Sequence, residues 1–130
     1  DGLVFIPTKD ISLAGFAVWA PKDDPQYYMK YKIEVDGTVI IEDQNPTLYT
    51  KFEDKYYNRI YFENAFDISS GQRIKMTCWI SKDFSTNSYV YTYYGTNGSD
   101  YATMPNEHMG LFTLDGSDNS SNGTSTYSGH

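Results

Sequence analysis

Few side chains in this sequence are of the kind that make and break bonds, and their spacing limits what they could do. Two histidines, His108 and His130, and one cysteine, Cys78, are all that its 130 residues hold. A single cysteine excludes an intrachain disulfide and a cysteine-based metal cluster, and two histidines leave little for a zinc site. Acyl transfer needs a nucleophile beside a base. His108, in Asn106-Glu107-His108-Met109, and His130 could each draw on many serines, but no Gly-x-Ser-x-Gly elbow sets one serine apart. His108 therefore reads as a histidine of a surface loop. Glycoside hydrolysis needs two acids fixed across a cleft, whereas Glu34, Glu42, Glu53 and Glu63 fall on strand exteriors or in loops and read as solvated acids. The run Asp115-Gly116-Ser117-Asp118-Asn119 hints at a calcium loop but lacks the alternating acid spacing and the distal bidentate glutamate. Asn97, Asn119 and Asn122 each open an Asn-x-Ser/Thr sequon. Two of them are Asn-Gly steps, for which turns with positive φ are the better explanation. The expectation is a domain with no catalytic residues, no metal and no cofactor.

Charge and composition narrow the partners. Seventeen acids against ten basic residues give a net charge of −7. That balance argues against a grip on nucleic acid or anionic lipid, because both need clustered Lys and Arg. No apolar run approaches the ~20 residues that span a bilayer. The opening Asp1-Gly2-Leu3-Val4-Phe5 lacks the basic and apolar segments of a signal peptide. The chain is expected to be soluble and to carry no targeting signal. Thirteen Tyr, seven Phe and two Trp make up 17% of it, more than one small core has to bury. Part of that excess is ordinary strand tyrosine with a wet hydroxyl, and part could form an aromatic recognition face.

The elements that would position these residues are strands. From Tyr27 to Val35 the odd positions are apolar or aromatic and most even ones are charged, which describes a half-buried strand. Asp36-Gly37 then tolerates the positive φ of a tight hairpin, and Thr38-Val39-Ile40-Ile41 supplies the return. Ile74, Met76, Cys78 and Ile80 share one face of the next clear strand, with Arg73, Lys75, Thr77 and Trp79 on the other. Ile60 and Phe62 point inward from a strand between these two, and Ser69-Ser70-Gly71 marks a turn. All eight inward residues (Ile33, Val35, Ile60, Phe62, Ile74, Met76, Cys78 and Ile80) are expected to face one core. Ile11 to Trp19 is apolar on both faces, as a central strand would be. No helical stripe of ten or more residues appears, so the fold class is all-β, an antiparallel sandwich or barrel in a single domain. Gly15 is expected to sit in close packing and Gly123 in a turn with positive φ, so that neither tolerates a β-carbon.

Three stretches together resemble the PHR domain, found in very large ubiquitin ligases and in proteins that carry a BTB domain. They are Phe5 with Asp10 to Trp19, Tyr93-Tyr94-Gly95-Thr96-Asn97-Gly98, and Ser120-Ser121-Asn122-Gly123-Thr124 followed by Gly129. Asp10 stands where the family usually has arginine, Ala17 replaces a glycine, and the family continues past Gly129 with a closing strand. The resemblance implies a jelly-roll-related antiparallel β-sandwich over residues 1–130, lacking that closing strand in this chain. It also implies an intracellular, cytoplasmic setting and a protein-binding role without catalysis.

On this reading Tyr93, Tyr94, Gly95, Asn97 and Gly98 contact a protein partner together with Asn122, Gly123 and Thr124, and Trp79 adds an exposed ring. The glycines would let backbone approach the partner, and the tyrosines would supply rigid contact area. Two other roles fit the same composition: a building block embedded in a large assembly, or a carbohydrate-binding sandwich using its exposed aromatics. The edge at Leu3-Val4-Phe5 is expected to pair with residues beyond His130 or with a neighbouring chain. The Ser/Asn/Gly-rich tail is expected to be an ordered loop.

Overall fold

The computed structural model describes residues 2–50, 57–83, 90–92 and 110–114. These form seven strands: β1 (Gly2–Pro7), β2 (Ile11–Trp19), β3 (Gln26–Val35), β4 (Thr38–Thr50), β5 (Tyr57–Ile68), β6 (Ile74–Ser81) and β7 (Phe112–Leu114). All pairings are antiparallel. One sheet has the order β4-β3-β6-β1-β7, and β2 with β5 makes the second. The two sheets face each other across the core, which establishes the all-β sandwich.

The β3–β4 hairpin forms as its sequence demands. Val35 pairs with Thr38, leaving a two-residue loop in which Asp36 has φ 49° and Gly37 φ 80°. Positive φ at both central positions matches the right-handed twist of the flanking strands. Further along, Ile33 pairs with Ile41 but Glu34 with Val39, so Ile40 is the extra residue of a bulge. Because the bulge breaks the alternation, Ile40 and Ile41 both pack on the core while Val39 stays exposed. A second interruption lies between Asp43 and Thr47, and Pro46, which has no N–H to give a ladder, falls within it on an outermost strand.

The inward residues divide into two clusters. Phe5, Leu13, Ile33, Val35, Ile68 and Ile74 are buried together, with Phe62 and Met76 against them. Tyr27, Met29 and Ile60 form the second, flanked by Cys78 and Ile80. Phe16 and Tyr31 pack on both and join them, their rings edge to face at 4.9 Å. All eight expected residues do face inward, but into two lobes. The first lobe lies toward the Asp36-Gly37 turn, hereafter the turn end. The second lies toward Tyr27 and Tyr57, the tyrosine end.

One expectation needs correction. β2 is not a central strand buried on both faces: among the described residues it pairs only with β5, and Ser12, Ala14, Ala17 and Trp19 are exposed. Its register shifts between Leu13 and Gly15. Ile11 and Leu13 pack inward before the shift, and Phe16 and Val18 after it. A one-sided strand whose parity flips halfway looks two-sided in sequence. The Leu3 to Phe5 edge is covered at Phe5 alone among the described residues. β1 pairs with β6 over Gly2 to Phe5 and with β7 over Phe5 to Pro7, so among the described residues Phe5 is flanked on both sides while Leu3 and Val4 pair with β6 alone. Phe112 of β7 meets Phe5 edge to face at 5.1 Å. β7, outermost in this sheet, is only three residues long, one way proteins blunt an edge.

Candidate interaction surface

The parity of β5 sends Asn58, Ile60 and Phe62 inward and leaves Tyr57, Arg59 and Tyr61 on the outer face of the two-stranded sheet. Across from them on β2, Trp19 pairs with Tyr57, Ala17 with Arg59 and Gly15 with Tyr61. The Trp19 and Tyr57 rings meet edge to face at 6.3 Å. The Arg59 guanidinium lies 5.6 Å from the centre of the Tyr57 ring and donates to the Tyr57 hydroxyl at 3.3 Å. Hydrogen bonds to the Tyr61 and Tyr57 hydroxyls hold the guanidinium in its charged form, raising its pKa. Tyr61 is 70% exposed and Trp19 36%. A row of three rings and one fixed guanidinium therefore stands open beside two small residues.

Gly15 is what allows this arrangement. A β-carbon there would collide with the Ile60 carbonyl oxygen, which belongs to the paired backbone and cannot move alone. The expected close packing at Gly15 is thus present, and its cause is the approach of β5.

The tyrosine end beneath this face holds an unusual buried cluster. Tyr27 is fully buried, stacks on Tyr49 at 5.9 Å and accepts a hydrogen bond from Asn58 Nδ2 at 2.6 Å. Burial pushes the Tyr27 hydroxyl up to about 12. Asn58 is 3% exposed, and its Oδ1 finds no partner. Burial also pushes the nearby Cys78 thiol up to about 12, so that it keeps its proton at neutral pH.

The family model of the PHR domain matches residues 1–130. The chain belongs to the PHR domain family. No curated protein and no solved structure matches it.

Of the site residues expected from sequence, Trp79 is described in this PHR domain. It lies on the outer face of the five-stranded sheet, opposite Lys30 of β3, whose ammonium sits 4.9 Å from the ring centre. Trp79 is half-buried and far in topology from the Trp19 row, which lies on the other sheet. Tyr93, Tyr94, Gly95, Asn97, Gly98, Asn122, Gly123 and Thr124 lie outside the described residues, as do His108, the Asp115 to Asn119 run, the three sequons and the tail. Thr92, the residue before Tyr93, is bridged to Pro21, two residues beyond Trp19. Next to it the Tyr91 carbonyl accepts from the Lys22 N–H at 2.8 Å, and Tyr91 itself is 79% exposed. Among the described residues no group of three or more His, Cys, Asp or Glu could hold a metal ion.

The Trp19, Tyr57, Arg59 and Tyr61 row was not singled out from sequence. Arg59 and Tyr61 could have been found, since they are the outward positions between Ile60 and its neighbours. Trp19 could not, because its side depends on the register shift at Gly15.

Proposed function

We propose that this PHR domain is a non-catalytic protein-interaction module of a larger intracellular protein, of ubiquitin-ligase or BTB-adaptor type. The observation that carries the reading is the outer-face row of Trp19, Tyr57, Arg59 and Tyr61, exposed but for the half-buried Tyr57, on a paired strand scaffold. Trp, Tyr and Arg are the residues that dominate binding energy at protein interfaces: the two aromatics offer large contact area with few rotors, and arginine offers a planar fork of donors. Cross-strand packing and the Arg59 hydrogen bonds order these side chains before a partner arrives, which lowers the entropy cost of docking. Tyr91, 79% exposed and hydrogen-bonded through its carbonyl to Lys22 three residues beyond Trp19, adds a further ring near this end of β2. Any ubiquitin-related chemistry belongs, on this reading, to other domains or subunits.

The test is affinity capture from a lysate of the source cells, comparing the domain with an Arg59→Ala/Tyr61→Ala variant. Both substitutions are on the exposed face, so melting temperature should change little. A specific partner should lose about thirtyfold in affinity, as expected for an interface hot spot worth ~2 kcal/mol. Equal capture by both proteins would reject this surface. Saturable binding to an oligosaccharide array, lost in the same variant, would reassign it to carbohydrate. A BTB domain upstream or a RING domain downstream in the parent reading frame would bear out the proposed context.

A further inference from the structure

The outer face of the two-stranded sheet is polarised along its length, in charge and in side-chain size. The odd positions of β5 point outward, and Arg59, Tyr61, Glu63, Ala65 and Asp67 are all exposed. Tyr61 stands midway between opposite charges, with Arg59 two residues before it and Glu63 two residues after. Across from Tyr61 on β2 lies Gly15, which places no side chain beside the ring. Size changes in the same direction. One end carries Trp19 and Tyr57, paired across the strands. The other carries Ser12 and Ala14 of β2 and Ala65 of β5, all small and exposed.

A face ordered in this way is complementary to itself when turned end for end. Sheets that pack face to face keep their strands aligned to within about 30°. A two-fold axis passing over Tyr61, in the plane of contact and across the strands, sets β5 of each copy antiparallel to β5 of the other. Arg59 then meets Glu63 of the second copy, and Glu63 meets its Arg59, the reciprocal contact that a two-fold interface requires. Trp19 and Tyr57 fall against the small residues of the opposite end. The two Tyr61 rings meet at the axis, where the glycines leave room for offset stacking. The Asp67 carboxylates of the two copies lie at opposite ends of the contact and do not face each other.

We propose that this chain pairs with a second copy of itself through this face. The inference rests on the reading of the Trp19, Tyr57, Arg59 and Tyr61 row as a protein-interaction surface, and it names the partner. Charge complementarity selects the antiparallel arrangement, since a parallel one would set Arg59 level with Arg59 and Glu63 level with Glu63. A net charge of −7 on each copy opposes approach at low salt, and a face of two strands is small. The dimer is therefore weak, with a Kd on the order of 10–100 µM at physiological ionic strength.

The experiment is sedimentation equilibrium of the 130-residue chain from about 5 µM to about 1 mM, at about 150 mM salt to screen the repulsion between acidic copies. A reversible monomer–dimer equilibrium is expected. Arg59→Glu sets acid against acid and Glu63→Arg sets cation against cation, so each alone should weaken association by roughly tenfold or more. Mixing the two variants in equal amounts should restore it, because both pairs in the mixed dimer are again opposite in charge. Both positions are exposed, so each variant should keep the wild-type melting temperature. A monomer throughout the range, a dimer indifferent to both substitutions, or a mixture that fails to associate would overturn the proposal. A monomer whose capture of another protein still depends on Arg59 and Tyr61 would overturn self-pairing alone and leave the interaction surface standing. A dimer that follows the charge-exchange pattern while lysate capture ignores both residues would support self-pairing and remove the other partner.

Discussion

At the turn end, the polar groups of Asp10, Asp36, Ser69, Ser70 and Gln72 lie at the surface and are joined by hydrogen bonds of 2.8–3.2 Å. At the tyrosine end, Tyr27 and Asn58 are sealed in the core, and one amide oxygen is left over. Side chains of similar polarity thus have different consequences. At the surface, a lost bond is replaced by water. In the core it exposes a buried donor or acceptor that water cannot reach, which costs ~1–3 kcal/mol. The turn end therefore tolerates change in its polar groups and depends on its apolar lobe, while the tyrosine end depends on its polar pair.

The largest effect should come from the apolar lobe of the turn end. Ile74 is fully buried between Val35 and Phe5, so Ile74→Ala should lower unfolding free energy by about 2–5 kcal/mol in a denaturant titration. An unchanged midpoint would break the picture of that lobe. Gly15→Ala comes next, at about 1–3 kcal/mol, because the new methyl must push β5 away at Ile60. It should also disturb amide shifts at Arg59 and Tyr61 while leaving those at Asp36 in place.

Tyr27→Phe should cost about 1–2 kcal/mol by stranding the Asn58 amide. Adding Asn58→Leu should cost less than the two single changes summed, since both polar partners are then gone. Alkaline titration sharpens the same point. Below pH 9 the folded and unfolded chains both keep the Cys78 and Tyr27 protons. The unfolded chain releases them near the ordinary values of 9.0 and 10.0, whereas the folded chain holds both to about 12. Stability should therefore fall as pH rises through that window. Cys78→Ala should flatten the lower part of the fall and Tyr27→Phe the upper part.

The smallest effect belongs to Asp36, whose pKa is lowered by the hydrogen bonds from the Arg73 N–H and then Gln72. A lowered carboxylate contributes stability above its ordinary value of 3.8 and loses it as pH falls through the folded value. Asp36→Asn, which tolerates the same positive φ, should leave neutral stability nearly unchanged and blunt the acid loss. A large loss at neutral pH would mean that the turn end is not saturated by solvent in the way described.

The sequence by itself determined the fold class, the β3–β4 hairpin with its Asp-Gly turn, and the inward faces of β3, β5 and β6. These follow from period-two alternation and turn chemistry, which act over a few residues. Gly15 was also legible as a close approach, though not against which atom. Only the tertiary structure decided the side on which Trp19 lies, because the shift between Leu13 and Gly15 reverses the parity that alternation assumes. It likewise decided that β7 pairs with β1 from Phe5 to Pro7, that Ile40 turns inward beside Ile41, and that Tyr57, Arg59 and Tyr61 stand beside Trp19. Each of these depends on which distant strand supplies the neighbour, and local patterning carries no information about that choice.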